Sequence, residues 1–299
     1  MKITNEMISR ISHRVRPYVH NDTDEEFQNS WKHELVKNGT LRLKFSKARN
    51  NAKLRKLGYK HMYTFSLPSG YSCPQADICR SLANRKTGKI YDNKWSSITH
   101  NHKTRIRCFS ASDESRSKQA REQRWYNFDL LRRFDGDGYY NVFDAKDIKL
   151  SSVINASIPS NAEVIRIHVA GDFYNQRYFD AWVEVARMMP HIRFYAYTKS
   201  LEYWVNRLDL IPSNLALTAS LGGKQDYLAD VYNLKTAKIV WSPEQAEKNN
   251  LEIDHDDSHA LFGDKSFALL LHGNQPKGTE ANKALAKLRK QNIEYSYKR

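Results

Sequence analysis

Short β-branched or aromatic runs alternate with longer amphipathic runs over the second half of the chain. The runs that fit buried strands cover residues 164–170, 192–197, 215–219, 237–241 and 267–271. An earlier run, 61–67, has the strict apolar alternation of a first strand. Strand signals in the second half recur about once every 25 residues, the spacing of a βα repeat unit. The sequence therefore predicts six parallel strands joined by helices.

Six such units fit an α/β fold that forms a partial or distorted (β/α) barrel, with a doubly wound open sheet as the alternative. Helices are expected over 113–134, with Ser112 as N-cap, over 176–189, and over 201–208. We expect residues 57–299 to form the barrel-like domain and residues 1–56 to form a basic helical N-terminal extension.

Charge is concentrated at the two ends of the chain. The 299 residues hold 48 Lys and Arg against 33 Asp and Glu, a net charge of +15. Residues 1–60 hold 14 basic and 6 acidic residues, and residues 277–299 hold 7 and 2. Basic ends favour association with polyanions such as nucleic acid but specify no chemistry.

Composition excludes several classes of protein. Hydrophobic residues make up 40% of the chain, which excludes wholesale disorder. The longest apolar run, 267–271, is far shorter than the roughly 20 residues of a membrane span, so no membrane partner is expected. The first 14 residues lack the apolar region of a secretory signal, so a cytosolic location is expected.

The three cysteines lie close together in sequence. Cys73 and Cys79 follow the first predicted strand, and Cys108 precedes the predicted helix at 113. In either architecture, ligands bind at the carboxyl ends of the strands. Three cysteines in a reducing compartment indicate a metal site rather than a disulfide scaffold.

Three interpretations of this constellation stay open. The leading one is a [4Fe-4S] cluster held by Cys73, Cys79 and Cys108, with one iron open to an outside ligand. The second is a zinc site with three cysteines and one histidine. The histidines considered for it are His61, His100, His102, His168 and His272. The third is three unliganded thiols.

Polar residues at the strand ends or next to the cysteines outline a candidate binding pocket. They are Ser110, His168, Asp172, Thr198, Lys199, Ser220 and His272. Lys199 could neutralise an anionic ligand, and Asp172 could accept a hydrogen bond from an amine. The sequence points to no catalytic residue.

Several motifs resemble the phage protein family called gene product eighty-eight. They are KHMYTFSLPSGYSCP (60–74), RCFSASDE (107–114), REQRWYNF (121–128), RIHVAGDF (166–173), FDAW (179–182), FYAYTKS (194–200) and HGNQPKG (272–278). The resemblance covers about 57–290 and implies a bacteriophage-encoded protein in the cytoplasm of an infected bacterium. It implies no established reaction.

A looser resemblance is to radical S-adenosylmethionine enzymes, which combine a partial (β/α) barrel with three cysteines after the first strand. Residues 169–172 lie where that family has a Gly-rich strand end. The usual cysteine spacing there is CxxxCxxC, whereas here five residues separate Cys73 from Cys79 and Cys108 is 29 positions further on. This resemblance implies an auxiliary metabolic enzyme with S-adenosylmethionine or a small anion at the open iron.

The alternative function is a nucleic-acid-binding phage protein with a structural zinc or iron–sulfur site. Its basic termini would contact phosphates, and aromatic side chains would stack on bases. The aromatic residues considered are Trp125, Tyr126, Tyr139 and Tyr140.

Overall fold

The computed structural model describes residues 42–48, 55, 58–79, 81–92, 105–134 and 150–293. The strands in these residues are β1 (Ser46–Lys47), β2 (Met62–Phe65), β3 (Ser81–Ala83), β4 (Ile90–Asp92), β5 (Val164–Ile167), β6 (Arg193–Thr198), β7 (Leu215–Ser220), β8 (Thr236–Val240) and β9 (Phe267–Leu270). The helices are α1 (Phe109–Arg116), α2 (Lys118–Phe134), α3 (Leu150–Ser157), α4 (Gln176–Met188), α5 (Leu201–Val205), a 3₁₀ turn (Leu208–Leu210), α6 (Tyr227–Val231), α7 (Pro243–Lys248), α8 (Ser258–Leu261) and α9 (Glu280–Lys290). No helix in this part of the chain has the length and apolar content that a bilayer crossing requires.

Seven strands form one mixed sheet in the order β1-β2-β5-β6-β7-β8-β9. The six strands from β2 onward are parallel, and each pairs with the sheet strand that precedes it in the chain. They coincide with the six predicted strands, which confirms a mostly parallel α/β fold. The order of the described strands never reverses, so they form no switch point of the kind that the doubly wound alternative has. Its described strands end at β1 and β9 without closing into a barrel.

One face of the sheet is covered by a layer of helices. Along β6, Phe194 and Ala196 point into the cluster of buried residues that the helices share, while the alternating tyrosines point to the opposite face. Trp182 of α4 is fully buried there, with its ring centroid 5.5 Å from that of Phe65 and 6.2 Å from that of Phe194. Asn175 caps α4 by accepting a hydrogen bond from a backbone amide, which fixes where the helix begins.

The opposite face is covered at the amino ends of the strands by the connection between β8 and β9. Ala260 and Leu261 of α8 pack there in a second apolar cluster. Asp257, just before α8, is buried and adopts a φ of 59°. Its carboxylate accepts hydrogen bonds from Arg166 Nη1 at 3.0 Å and from the hydroxyls of Tyr195 at 3.0 Å and Tyr197 at 3.1 Å. Asp257 thus links this connection to β5 and β6 through hydrogen bonds.

The segment before β2 belongs to the sheet. Residues 42–48 are extended rather than helical, and β1 pairs antiparallel with β2. Leu43 is buried, and the ring of Phe45 lies 5.1 Å from that of Phe65. These residues fall in the same compact unit as the rest of the described chain, Leu41–Arg299. Most of the helical extension predicted over 1–56 lies outside the described residues.

The helix predicted over 113–134 is two helices. Ser117 adopts an extended conformation between α1 and α2 and turns the chain. The first helix also begins earlier than predicted, because Cys108, and not Ser112, occupies the N-cap position. The third cysteine therefore lies at a helix N-terminus, where the helix dipole favours negative charge.

Asp257→Asn tests whether the hydrogen bonds of Asp257 stabilise the β8–β9 connection. Asparagine keeps the side-chain size and tolerates a positive φ, so the change mainly removes the charge facing Arg166. We expect the free energy of unfolding to fall by about 2–4 kcal/mol in urea titrations. Asp264→Asn, at an exposed position of the same connection, should change it by less than about 0.5 kcal/mol. Equal losses in both variants would contradict the role assigned to Asp257.

Candidate metal centre

The three cysteines meet at the carboxyl end of the parallel sheet. Cys73 and Cys79 lie on the loop that follows β2, and Cys108 precedes α1. The Cys73 thiol interacts electrostatically with both other thiols, and Cys108 interacts with Cys79. All three are free thiols of intermediate exposure. The structure thus brings together the three residues that the sequence grouped as ligands.

The cysteine loop is held by the end of β7. Ile78 donates a backbone hydrogen bond to the Gly222 carbonyl at 2.9 Å, and Ala76 forms an antiparallel bridge with Gly223. Gly222 has a φ of 97°, and a Cβ there would lie 2.2 Å from Ile78 Cγ2. Only glycine allows this approach, which explains the Gly-Gly pair at the strand end.

The segment that carries Cys108 is held by the residues after β9. The Gln275 side chain accepts from the Arg107 amide at 2.8 Å and donates back to the His272 carbonyl at 2.9 Å. The Cys108 amide donates to Ser81 Oγ at 3.2 Å. Backbone contacts on both sides therefore fix the position of the third cysteine.

A buried carboxylate joins the two cysteine-bearing segments. Glu114 of α1 is fully buried, and its Oε1 accepts from the Ser69 amide at 2.9 Å, from Ser69 Oγ at 2.7 Å and from Arg124 Nη1 at 2.8 Å. Ser69 opens the loop that leads to Cys73, and Glu114 lies on the helix that follows Cys108. Burial raises the pKa of Glu114, while the charge of Arg124 opposes that rise. The Glu114–Arg124 pair therefore positions the loop relative to the helix.

The environment of Cys73 and Cys108 opposes ionisation of their thiols. Burial, followed by the charges of Asp172 and Cys108, raises the pKa of Cys73 well above its usual value. Burial and the charge of Cys79 raise the pKa of Cys108 to about 11. The Cys108 thiol makes no capping hydrogen bond, although the nearby backbone amides of α1 lower its pKa in part. Without a cation, Cys73 and Cys108 stay protonated at neutral pH.

Asp172 and Thr198, both predicted to line the pocket, contact each other beside the cysteines. Asp172 accepts from Thr198 Oγ1 at 2.6 Å, from the Lys199 amide at 2.8 Å and from the Phe173 amide at 2.7 Å. Burial raises the pKa of Asp172 to about 6, and these hydrogen bonds limit the rise. The charge of Asp172 also acts on Cys73, so this carboxylate is electrostatically part of the centre.

Lys199 and Ser220 join the ends of two neighbouring strands. Lys199 Nζ donates to the Ser220 carbonyl at 2.6 Å, to Ser220 Oγ at 2.8 Å and to the Leu221 carbonyl at 2.9 Å. Its three donors thus have three protein acceptors. To neutralise an anionic ligand, as predicted, Lys199 would have to replace one of these three hydrogen bonds with a bond to the ligand.

The two predicted pocket histidines have different surroundings. His168 is buried among aromatic rings; its Nε2 lies 2.8 Å from the Tyr178 hydroxyl, and burial lowers its pKa to about 3. His272 follows β9, with its ring centroid 5.3 Å from that of Phe109, the residue after Cys108. The Ser110 hydroxyl donates to the Val169 carbonyl at 2.8 Å. His272 and Ser110 are therefore next to the cysteine segments, whereas His168 belongs to the aromatic core.

Neither metal interpretation gains support from the arrangement of side chains in the described part of the chain. No group of three His, Cys, Asp or Glu side chains among the described residues is arranged to hold a metal ion. His61 contacts Asn161 at the amino end of β2, opposite to the cysteine loop. His100 and His102 lie outside the described residues.

Sequence reasoning missed the residues that position the centre. Glu114, Arg124 and Gln275 occur in the motifs quoted above, but nothing in their spacing shows that they bridge distant segments. The Gly-Gly pair after β7 was visible as a strand end, yet its contact with the cysteine loop depends on tertiary structure.

Residues 40–290 match the Gene product 88 family, so the chain belongs to that family. This match confirms the predicted family and its bacteriophage association. No curated protein and no solved structure matches the chain. The resemblance to radical S-adenosylmethionine enzymes gains no support from these matches.

Asp172 should make the stability of the metal-free protein depend on pH. Its pKa is raised from 3.8 to about 6 on folding, so its protonated form stabilises the folded state. That contribution is complete below pH 3.8 and is lost as the pH rises through about 6, a change of about 3 kcal/mol. Urea titrations from pH 3.5 to 7.5 should show this loss in the wild type relative to Asp172→Asn, which cannot titrate.

Asp209→Asn, at an exposed position, is the matched control and should keep the wild-type pH profile. Parallel profiles for the wild type and Asp172→Asn would refute the raised pKa, whatever the absolute stability of the variant.

Proposed function

We propose that Cys73, Cys79 and Cys108 hold a [4Fe-4S] cluster whose fourth iron is open to a small ligand. The observation that carries this proposal is the placement of three free cysteines on two hydrogen-bonded segments, the loop after β2 and the start of α1, at the carboxyl end of the sheet. Thiolates are the preferred ligands of iron–sulfur clusters, and three of them leave one iron without a protein sulfur.

The charges around the thiols favour a cationic occupant. The charge of Asp172 disfavours ionisation of Cys73, and the charge of Glu114 disfavours ionisation of Cys108. Three thiolates and two carboxylates would repel one another strongly in a buried site. A cationic iron–sulfur core offsets that repulsion, as bound cations do in other metal sites.

A cubane and a single ion require different spacings of their cysteine ligands. Ligands of one tetrahedral zinc must approach within about 2.3 Å of the same point, so their sulfurs nearly touch. The described residues contain no three side chains arranged in that way. A cubane binds each cysteine through a different iron and therefore needs its three sulfurs further apart.

The ligand of the open iron would lie beside Phe109 and His272. The Phe109 side chain is 40% exposed, and its ring packs against His272. We propose S-adenosylmethionine or a small anion as this ligand, in a radical-SAM-like or auxiliary metabolic enzyme of the infected host's cytoplasm. When bound, the cluster would supply Lewis-acid or redox chemistry at its open iron. The protein's own groups position the thiols.

Anaerobic purification tests the cluster. We expect a brown protein that absorbs near 400 nm and holds about four iron and four sulfide per chain, as a cubane held by three cysteines requires. Addition of S-adenosylmethionine or of a small anion such as cyanide should change the paramagnetic resonance spectrum of the reduced protein, because the open iron exchanges its ligand.

Alanine variants of each cysteine should lose the chromophore and most of the iron. Ser112→Ala is the matched control: this buried residue lies on α1 near Cys108, and its hydroxyl has no hydrogen-bond partner in the described structure. A colourless protein with one zinc would overturn the cluster in favour of a structural metal site. A folded, metal-free protein would leave the thiols unliganded.

A further inference from the structure

We propose that a basic corner beside the cysteine centre binds the phosphates of single-stranded nucleic acid. The basic corner consists of Lys86, Lys89 and Tyr91 on the β3–β4 hairpin together with Arg116 and Lys118 at the junction of α1 and α2. This inference goes beyond the proposed function and assigns nucleic-acid binding to a surface other than the chain termini.

The hairpin is a separate, rigid element. Strands β3 and β4 pair only with each other in the described structure. Its turn is closed by Asn84, whose side chain accepts from the Lys86 amide at 3.0 Å and the Thr87 amide at 2.8 Å. The buried Arg121 of α2 donates to the Arg85 carbonyl at 2.8 Å and to the Glu114 carbonyl at 2.6 Å. The turn is therefore attached to the helix junction and presents its lysines in a fixed place.

Positive charge is concentrated in this part of the chain. Residues 80–107, between the second and third cysteines, contain 8 Lys and Arg and 1 acidic residue. Lys86, Lys89 and Arg116 are exposed, and Lys118 is exposed beside Glu122, with 3.6 Å between Nζ and Oε1. A cluster of this kind attracts phosphates by releasing their counterions.

Arg85 of the same hairpin has a structural role. Arg85 pairs with Asp129 at 2.9 Å and covers the ring of Trp125, which is only 9% exposed. Of the aromatic residues predicted to stack on bases, Trp125 is thus in the core, and Tyr139 and Tyr140 lie outside the described residues.

Tyr91 supplies the stacking surface that Trp125 cannot. Its side chain is 44% exposed, and Lys89 Nζ lies 5.7 Å from the centre of its ring. An aromatic ring beside a lysine suits a strand whose bases are unstacked and whose phosphates are close by. A duplex offers no free base face, so single strands are favoured. A membrane surface is disfavoured because the described residues of the corner form no exposed apolar cluster that could insert.

Fluorescence anisotropy with a labelled 20-nucleotide single strand tests the proposal. The variant Lys86→Gln/Lys89→Gln removes two exposed charges and should bind more weakly, with a log–log salt slope about 1.4 smaller in magnitude than that of the wild type. Lys248→Gln/Lys265→Gln removes two exposed charges elsewhere and should keep the wild-type slope. Iron content and thermal midpoint should be unchanged in both.

Variants of Tyr91 test the contribution of stacking separately from that of charge. Tyr91→Leu keeps an apolar strand residue but loses the π face, so single-strand affinity should fall about fivefold or more. Tyr91→Phe should bind like the wild type. Equal salt slopes in the hairpin and control lysine variants, or equal affinities in the two Tyr91 variants, would overturn the basic corner. So would stronger binding of a duplex or of anionic lipid vesicles than of the single strand.

Discussion

The architecture follows from the way parallel strands are connected. Every strand from β2 to β9 pairs with the sheet strand before it, and nearly all helices lie on one face of the sheet. The second face must then be covered by something other than the helical layer. In this protein α8 covers it at the amino ends of the strands, and the cysteine loop lies against the carboxyl end of β7. The candidate centre therefore lies where a loop, and not the helical layer, packs against the sheet.

The centre depends on buried charge that the protein balances only in part. Arg124 compensates Glu114, and Asp172 receives hydrogen bonds from the end of β6, whereas the charges of Asp172 and Glu114 oppose ionisation of Cys73 and Cys108 respectively. Such a site favours protonated thiols when empty and thiolates when a cation is bound. The same groups therefore link folding, pH and metal content.

Much of the fold could be predicted from sequence, because strand signals depend on local periodicity. All six parallel strands and helix α4 occur where predicted. The misplaced helix start near Ser112 has a physical cause: Cys108 takes the N-cap position because its backbone is fixed by Ser81 and Gln275. Likewise, β1 replaces a predicted helix because Leu43 and Phe45 pack into the core. Contacts between residues far apart in the chain determine both the start of α1 and the formation of β1. Local sequence patterns do not reveal such contacts.

The order in which the sheet is built has a consequence for biogenesis. Neighbouring strands follow one another in the chain, so the sheet can grow from its amino-terminal edge as the polypeptide leaves the ribosome. The cysteines emerge early, but the backbone contacts that fix them come from Gly222 and Gln275, much later in synthesis. A nascent chain thus exposes its thiols before it can enclose them. Cofactor insertion would have an interval in which the ligands are accessible, and completion of the last strand would end that interval.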